Sequence, residues 1–540
     1  MQTVHDAFTT TAARTPAADF LFTEPVTAAA YGIASGALAW GDAATEVERL
    51  RRAYTAAGYG HGHRVGLLLE NRPAFLLHWF ALNALGVSVV PINADMRSAE
   101  LSYLIGHSEI ALAVTLPERA GDLRSAASQA GVTGFATMAP DGDVPPASTA
   151  PPRGHEPIDA RTECALLYTS GTTGRPKGCI LSNTYFLNAG AWYAALDGVC
   201  SIRPDTERVM TPLPLTHMNA MACSTMVVLV AGGCLVQLDR FHPRSWLQSA
   251  RDSGATVVHY LGVMPAMLLS APPSAADRDH AIRWAFGAGV DPKHHAAFED
   301  RFGFSLVEAW AMTETGVAAC IMANREPRLV GRACFGRQPG FVEVRLVDDA
   351  GQPAGIDAPG ELWVRYAGAD PRHAFFSGYL KDEAATAEAW AEGWFHTGDL
   401  VRRDADGNFF FVDRKKNVIR RSGENISAVE VESVLNQHPA VKAAAVAATP
   451  DTVRGDEVLA CIVLRDDAAA HDRSALAADI VAHALAQLAY YKAPGYVAFV
   501  DALPLTPSQK IQRGELRTLA HALPAQPRCV DTRAMKKRQP

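Results

Sequence analysis

Thr169-Ser170-Gly171-Thr172-Thr173-Gly174-Arg175-Pro176-Lys177-Gly178 is the most informative stretch of the 540-residue sequence. It lies between two short apolar runs, residues 165–168 and 179–181, which read as strands. Three glycines let the backbone turn its N–H groups toward one point, and four hydroxyls add donors. Arg175 and Lys177 supply positive charge. This chemistry suits a polyphosphate anion better than any other ligand. The spacing is not Gly-x-x-x-x-Gly-Lys-Ser/Thr, and the loop joins strand to strand rather than opening a helix. Donors on a flap, rather than a helix dipole, are the expected mechanism. The plain alternative is an ordinary Ser/Gly hairpin loop, and the density of glycine, hydroxyl and cation argues against it.

Outward from the loop, apolar helical segments alternate with short β-branched runs. Residues 50–58 and 73–86 read as helices, and 64–69 and 87–92 as strands. The same alternation returns at 235–238 (strand), 243–253 (helix) and 256–261 (strand), with another apolar helix after it. Strands alternating with helices point to βαβ units and an α/β fold with parallel sheet. Residues 141–157, DGDVPPASTAPPRGHEP, read as a surface linker. From 342 to 364, and again at 407–413, apolar and polar residues alternate, as in antiparallel strands of a small β-barrel-like subdomain. After the basic patch Arg414-Lys415-Lys416 the chain restarts with a capped helix (427–436), strands (441–447, 457–464) and an Ala-rich helix (474–488). That is a compact α+β unit. The polar tail, 527–540, reads as frayed and flexible.

Composition excludes several classes. Fifty Lys+Arg against fifty-seven Asp+Glu give −7, a poor footprint for nucleic acid. The longest apolar stretch, 226–236, is too short for membrane insertion, and the first twenty residues lack a secretory pattern. Nine scattered cysteines without metal or redox spacing read as buried thiols in a reducing compartment. A cytoplasmic protein is expected, as a monomer or homodimer.

TSGTTGRPKG resembles the signature loop of the adenylate-forming superfamily, which spans acyl- and aryl-CoA synthetases, luciferases and peptide-synthetase adenylation domains. Further matches follow in family order: residues 91–109, 212–217, 310–316 (WAMTETG), 393–400 (with Thr-Gly-Asp), 413–427 and 504–517. The resemblance implies a large N-terminal adenylation domain of stacked α/β subdomains plus the barrel-like one (1–413), a hinge (414–417) and a small mobile C-terminal domain (418–526). It implies that Thr169, Ser170, Gly171, Thr172, Thr173, Gly174 and Lys177 hold the β- and γ-phosphates of ATP. Glu314 would hold Mg²⁺, a hard cation that prefers oxygen, and Thr313 would touch the α-phosphate. Ala288, Gly289, Trp310, Ala311 and Met312 would line the adenine and acyl carbonyl, with Trp310 where the family usually has tyrosine. Ala311 replaces a usual glycine and should crowd the acyl pocket, which Tyr260, Trp310 and Met218 would wall. Asp399 and Arg414 would take the ribose hydroxyls. Lys510 would bridge the substrate carboxylate and the α-phosphate, with Gln509 in place of a usual glycine. His217 would gate the acyl pocket. Rotation about Lys416 would withdraw Lys510 and bring the loop around Gly423 to the pantetheine arm of coenzyme A. Arg420 stands where some relatives keep a second lysine.

No acid lies between Thr211 and Leu235, which disfavours an α-amino acid substrate. No carrier segment follows the lysine motif, which favours a diffusible thiol. The expected activity is ATP-dependent formation of an acyl-AMP and then an acyl-CoA from a small carboxylic acid. The expectation lies nearest the crotonobetaine/carnitine-type ligases. Loading of a carrier protein, and a nucleotide-binding relative without catalysis, stand as alternatives.

Overall fold

The short buried β-branched runs become the centres of two large sheets. The computed structural model describes the chain except residues 97, 155, 170–175, 349, 415–416, 418, 422–423, 452–454, 469–471, 489, 506–509 and 537–540. Ser170, Gly171, Thr172, Thr173, Gly174, Arg175, Lys416, Gly423 and Gln509 therefore lie outside the described residues, as does the side chain of Arg420.

One sheet has eight strands in the order Gly316–Met322, Ser305–Met312, Trp284–Ala288, Val257–Leu261, Arg208–Thr211, Cys234–Gln237, Asp19–Thr23, Gly36–Ala39. Its inner strands are parallel, and each outermost strand pairs antiparallel. The other has seven, in the order Gly378–Tyr379, Lys177–Ser182, Glu163–Thr169, Ser88–Pro91, Arg64–Leu68, Leu112–Thr115, Ala136–Met138. Ser88–Pro91, Leu112–Thr115 and Cys234–Gln237 are buried at every position, as parallel strands covered on both faces must be.

The sheets share one apolar core, in which Val65 and Val89 of one join Val209 and Leu235 of the other. The helix Pro73–Asn83 is apolar all round and buries Phe75, Trp79 and Phe80, which places it inside that core. Its Trp79 ring meets Phe186 of helix Asn183–Ala194 at 5.1 Å. The expected helix at 50–58 is the end of a longer one, Trp40–Ala56. Its start was obscured because the cap residue, Ala39, makes no side-chain cap bond. The antiparallel segment is five strands in the order Cys334–Arg337, Asn408–Arg414, Phe395–Arg403, Gly360–Tyr366, Val342–Val347.

Beyond residue 418 a separate core forms around Ile419, Val431, Ile462, Ile480 and Val497. Ser427 caps helix Ala428–Leu435 by accepting from Glu430 N (3.2 Å), and its hydroxyl donates to Asp413 Oδ2 (3.0 Å). The expectation of a flexible tail is corrected up to residue 536. Cys529–Asp531 pairs with Tyr496–Phe499, and Lys536 Nζ is buried against Glu457, which also takes Arg421 Nε at 2.9 Å. A carboxylate inside a strand needs partners once desolvated, and the tail provides one. Among the described residues no helix is long and apolar enough to cross a membrane.

Candidate active site

The hairpin register brings Thr169 opposite Lys177 and Tyr168 opposite Gly178, so both ends of the phosphate-loop sequence are fixed by sheet. Tyr103 OH donates to Pro176 O at 2.9 Å and stiffens the second end further. Lys177 Nζ lies 4.7 Å from the centre of the Tyr379 ring and 3.8 Å from Asp382 Oδ2. Tyr379 OH in turn donates to Glu314 Oε1 at 3.0 Å. The structure thus brings Lys177 and Glu314, 137 positions apart in sequence, to the two sides of one tyrosine. Tyr379 itself carried no signal beyond being aromatic. Burial beside the Glu314 carboxylate pushes its phenol upward, so it stays a neutral donor.

Thr313 and Glu314 follow strand Ser305–Met312 in a tight turn, where Tyr185 OH donates to Thr313 O (2.9 Å) and Thr315 Oγ1 accepts from Met312 N (3.1 Å). Ala311 and Met312 are half-buried beside it. Trp310 is only 6% exposed, and its indole N–H donates to Asp399 Oδ2 at 2.8 Å. Asp399 and Arg414 are cross-strand partners, and Arg414 Nε reaches Asp399 Oδ1 at 2.6 Å. The tryptophan, aspartate and arginine picked out in three separate motifs form one hub around a buried carboxylate.

Ala288 and Gly289 are exposed where strand Trp284–Ala288 ends. Beneath them Glu308, absent from the sequence reading, accepts from Gly289 N (2.9 Å), Val290 N (3.1 Å) and Tyr260 OH (2.6 Å). Burial raises its pKa, and those three donors oppose the rise. Tyr260 is buried with its hydroxyl spent on Glu308, so the expected pocket wall at Tyr260 is instead a support for the turn. Any Cβ at Gly262 or Gly287 would strike the backbone of Gly289 or Tyr260, so this approach needs glycine at both.

His217 leaves the end of strand Arg208–Thr211 on a loop held by a second residue the sequence did not reveal. Asn71, buried, donates to Leu213 O (3.2 Å) and Leu238 O (2.7 Å) and accepts from Leu215 N (2.9 Å). His217 and Lys510 are both exposed by surface area, yet the protein packed around each desolvates it. Burial, and then the charge of Lys510, lowers His217 to about 4, so its ring is neutral. Burial, and then Arg414, lowers Lys510 as well. The lysine of the last motif therefore lies within electrostatic reach of both His217 and Arg414. The site occupies the carboxyl ends of the parallel strands, where open α/β sheets bind ligands.

An AMP-binding enzyme domain matches residues 8–380, and an AMP-binding enzyme C-terminal domain matches residues 430–510. A sulfoacetate–CoA ligase of Cupriavidus necator is 34% identical over 493 residues, spanning 90% of this chain and 93% of that protein. A crotonobetaine/carnitine–CoA ligase of Shigella flexneri is 30% identical over 495 residues, spanning 87% and 91%. The crystal structure of ATP-bound MatB from Rhodopseudomonas palustris superposes with a TM-score of 0.78 at 24% identity, covering 97% of this chain and all of that one, a likeness of fold. With a domain match across more than half its length and full-length relatives above 30% identity, the chain belongs to the AMP-binding enzyme family.

Proposed function

We propose that the chain is an ATP-dependent carboxylate–CoA ligase that works through an acyl-adenylate. The observations that carry this reading are the Lys177–Tyr379–Glu314 cluster and the Asp399–Arg414–Trp310 hub in one N-terminal body, with Lys510 in electrostatic reach of Arg414 and His217.

In the first half-reaction the loop at 169–178 and Lys177 hold the outer phosphates. A carboxylate oxygen of the acid bonds to the α-phosphorus, the bond to the bridging oxygen breaks, and pyrophosphate leaves. Lys510 is a point charge on a flexible stem, suited to following the carboxylate and α-phosphate as their geometry changes. Neutral His217 stands beside it without adding charge. The Asp399–Arg414–Trp310 hub positions the nucleoside. Asp399 Oδ2 accepts from Trp310 and Oδ1 is ion-paired with Arg414, so ribose hydroxyls would share this carboxylate with both.

Glu314 fits a magnesium ion. One carboxylate oxygen accepts from Tyr379, the group is buried, and Lys177 lies over the ring of the same tyrosine. Among the described residues no cluster of three His, Cys, Asp or Glu side chains forms a cage. Magnesium bound through one carboxylate plus substrate phosphates needs none. The ion would neutralise phosphate charge there.

In the second half-reaction the thiol of coenzyme A attacks the acyl carbonyl carbon and AMP leaves. The separate core beyond residue 418 supports a body that turns about Lys416, withdrawing Lys510 and presenting the loop around Gly423. The N-terminal body is then 1–413, the hinge 414–417 and the moving body 418–526. Nine free cysteines, eight of them buried, support a reducing cytoplasmic setting.

The test is pyrophosphate release with ATP, magnesium and a panel of short acids that includes sulfoacetate and crotonobetaine, followed by addition of coenzyme A. Acid-dependent pyrophosphate and then a CoA thioester support the reading. Tight ATP binding without pyrophosphate from any acid contradicts it.

A further inference from the structure

Immediately after His217 the helix widens. Asn219–Ser224 forms a stretch of π-helix, a geometry that recurs at functional sites because it re-aims side chains. Here it brings two residues five apart onto one nitrogen. Asn219 Oδ1 lies 2.6 Å and Ser224 Oγ 2.9 Å from His259 Nδ1. The other ring nitrogen, Nε2, lies 2.7 Å from Tyr193 OH. His259, Ser224 and Tyr193 are fully buried, and burial holds the imidazole neutral, lowered to about 3. A neutral ring has one N–H. The amide oxygen only accepts, so Nδ1 carries the proton and Nε2 accepts from the tyrosine.

The Asn219 amide thus presents its oxygen to His259. Its oxygen is held on the strand Val257–Leu261, and its planar NH₂ is turned away from His259. Asn219 is half-buried rather than closed off, and among the described residues no acceptor takes those N–H groups. It lies two positions from His217, which is in electrostatic reach of Lys510. Between Thr211 and Leu235 there is no acid, lysine or arginine, so the amide is a donor without a local countercharge.

We propose that the Asn219 amide N–H groups are a specificity determinant of the acyl pocket, and that the acid this protein activates carries a second hydrogen-bond acceptor at the end remote from its carboxylate. His259, with Tyr193 behind it, is a positioning residue that keeps the donor edge toward the substrate. The inference rests on the ligase reading and narrows its substrate class. A sulfonyl, hydroxyl, carbonyl or second carboxylate oxygen would satisfy the amide, whereas an alkyl end would leave it desolvated and unpaired.

The test compares pyrophosphate release from sulfoacetate and 3-hydroxypropionate with that from propionate and butyrate. The wild-type protein should favour the first pair. Asn219→Leu should cut kcat/KM for the favoured pair about tenfold or more, chiefly through KM, and raise it for the alkyl acids, whose ends no longer strand the amide. Asn219→Asp keeps an oxygen on His259 and exchanges the donor edge for a second acceptor, so it should reject the acceptor-bearing acids at least as strongly. His259→Phe should erode the same ratio without changing KM for ATP, which a general loss of folding would not do selectively. An unchanged ratio in Asn219→Leu and Asn219→Asp, with the alkyl acids still turned over, overturns this inference alone, as does a wild-type preference for the alkyl acids. Failure of every acid to release pyrophosphate overturns the ligase reading and this inference with it.

Discussion

Asp399 and Arg414 sit opposite one another on adjacent antiparallel strands, and Arg414 Nε meets Asp399 Oδ1 at 2.6 Å while Trp310 donates to the other oxygen. Sheet register, rather than loop flexibility, sets this hub, so its geometry is in place before a nucleotide arrives. Trp310→Phe keeps an aromatic ring but loses the indole N–H together with the fused pyrrole ring. It should raise KM for ATP about tenfold, with little change in KM for the acid, since a hydrogen bond to a carboxylate is worth roughly 1.5–3 kcal/mol. Steady-state kinetics with each substrate varied in turn reads the split.

Lys510→Ala should abolish pyrophosphate release while thioester formation from supplied acyl-adenylate and coenzyme A survives. Equal loss of both steps would count against a body that carries the lysine away between them. Lys510 also predicts an alkaline limb. Burial and the neighbouring Arg414 lower its pKa, so adenylation should fall with rising pH before the ordinary lysine range is reached. Arg414→Gln should move that limb upward even though it slows the reaction.

Glu314→Gln should raise the half-saturating magnesium concentration and slow adenylation about a hundredfold, the order expected when a carboxylate ligand of the metal that shields the phosphates is neutralised. Tyr379→Phe frees the Glu314 oxygen from its donor and should change magnesium dependence far less. Pyrophosphate release across a magnesium titration separates the two variants.

Two buried histidines set an acid limit on stability. His78 accepts from Tyr54 OH at 2.8 Å and donates to Pro140 O at 2.9 Å. His259 is held as described, and burial lowers the two to about 4 and about 3. The unfolded chain protonates both near the ordinary value of 6.5, while the folded chain resists. Their contribution to stability is complete above about pH 6.5 and declines as pH falls toward the folded values, by up to about 3 kcal/mol per pH unit for the pair. Thermal melts from pH 7.5 to 5 should show Tm falling, with a shallower slope in His259→Phe.

The C-terminal triad predicts an ordering. Glu457 is shared by Arg421 and Lys536, and all three side chains are buried. Glu457→Gln leaves two desolvated cations and should destabilise the C-terminal body by about 3–5 kcal/mol, whereas Lys536→Met leaves a neutral pair and should cost less. Chemical denaturation followed in the C-terminal body distinguishes the two. Equal losses would mean that the tail anchors by packing alone.

The sequence made some of this legible because its signal was local. The strands flanking the phosphate loop, the parallel runs and the helix capped by Ser427 follow from periodicity and turn chemistry over a few residues. Asn71, Glu308 and Asn219 were not legible, because each acts on backbone or side chains far away in sequence. Asn71 bonds the carbonyls of Leu213 and Leu238, 142 and 167 positions on. Nothing near Asn71 marks it apart from any turn asparagine. The tail misled for the converse reason. Its polar composition argued for solvent, but a carboxylate buried in strand Gly455–Leu464 draws Lys536 inside. Tyr260 misled similarly, since an aromatic at a strand end reads as pocket wall until its hydroxyl is seen on Glu308.

The central claim is that a carboxylate oxygen attacks the α-phosphorus of ATP in this cleft. Turnover of an acid labelled with heavy oxygen in both carboxylate positions, with ATP and coenzyme A, followed by mass spectrometry of the nucleotide, tests it most directly. The account predicts AMP carrying a single heavy oxygen, left behind when the thiol takes the acyl group. Unlabelled AMP, or label appearing in inorganic phosphate beside ADP, would contradict it.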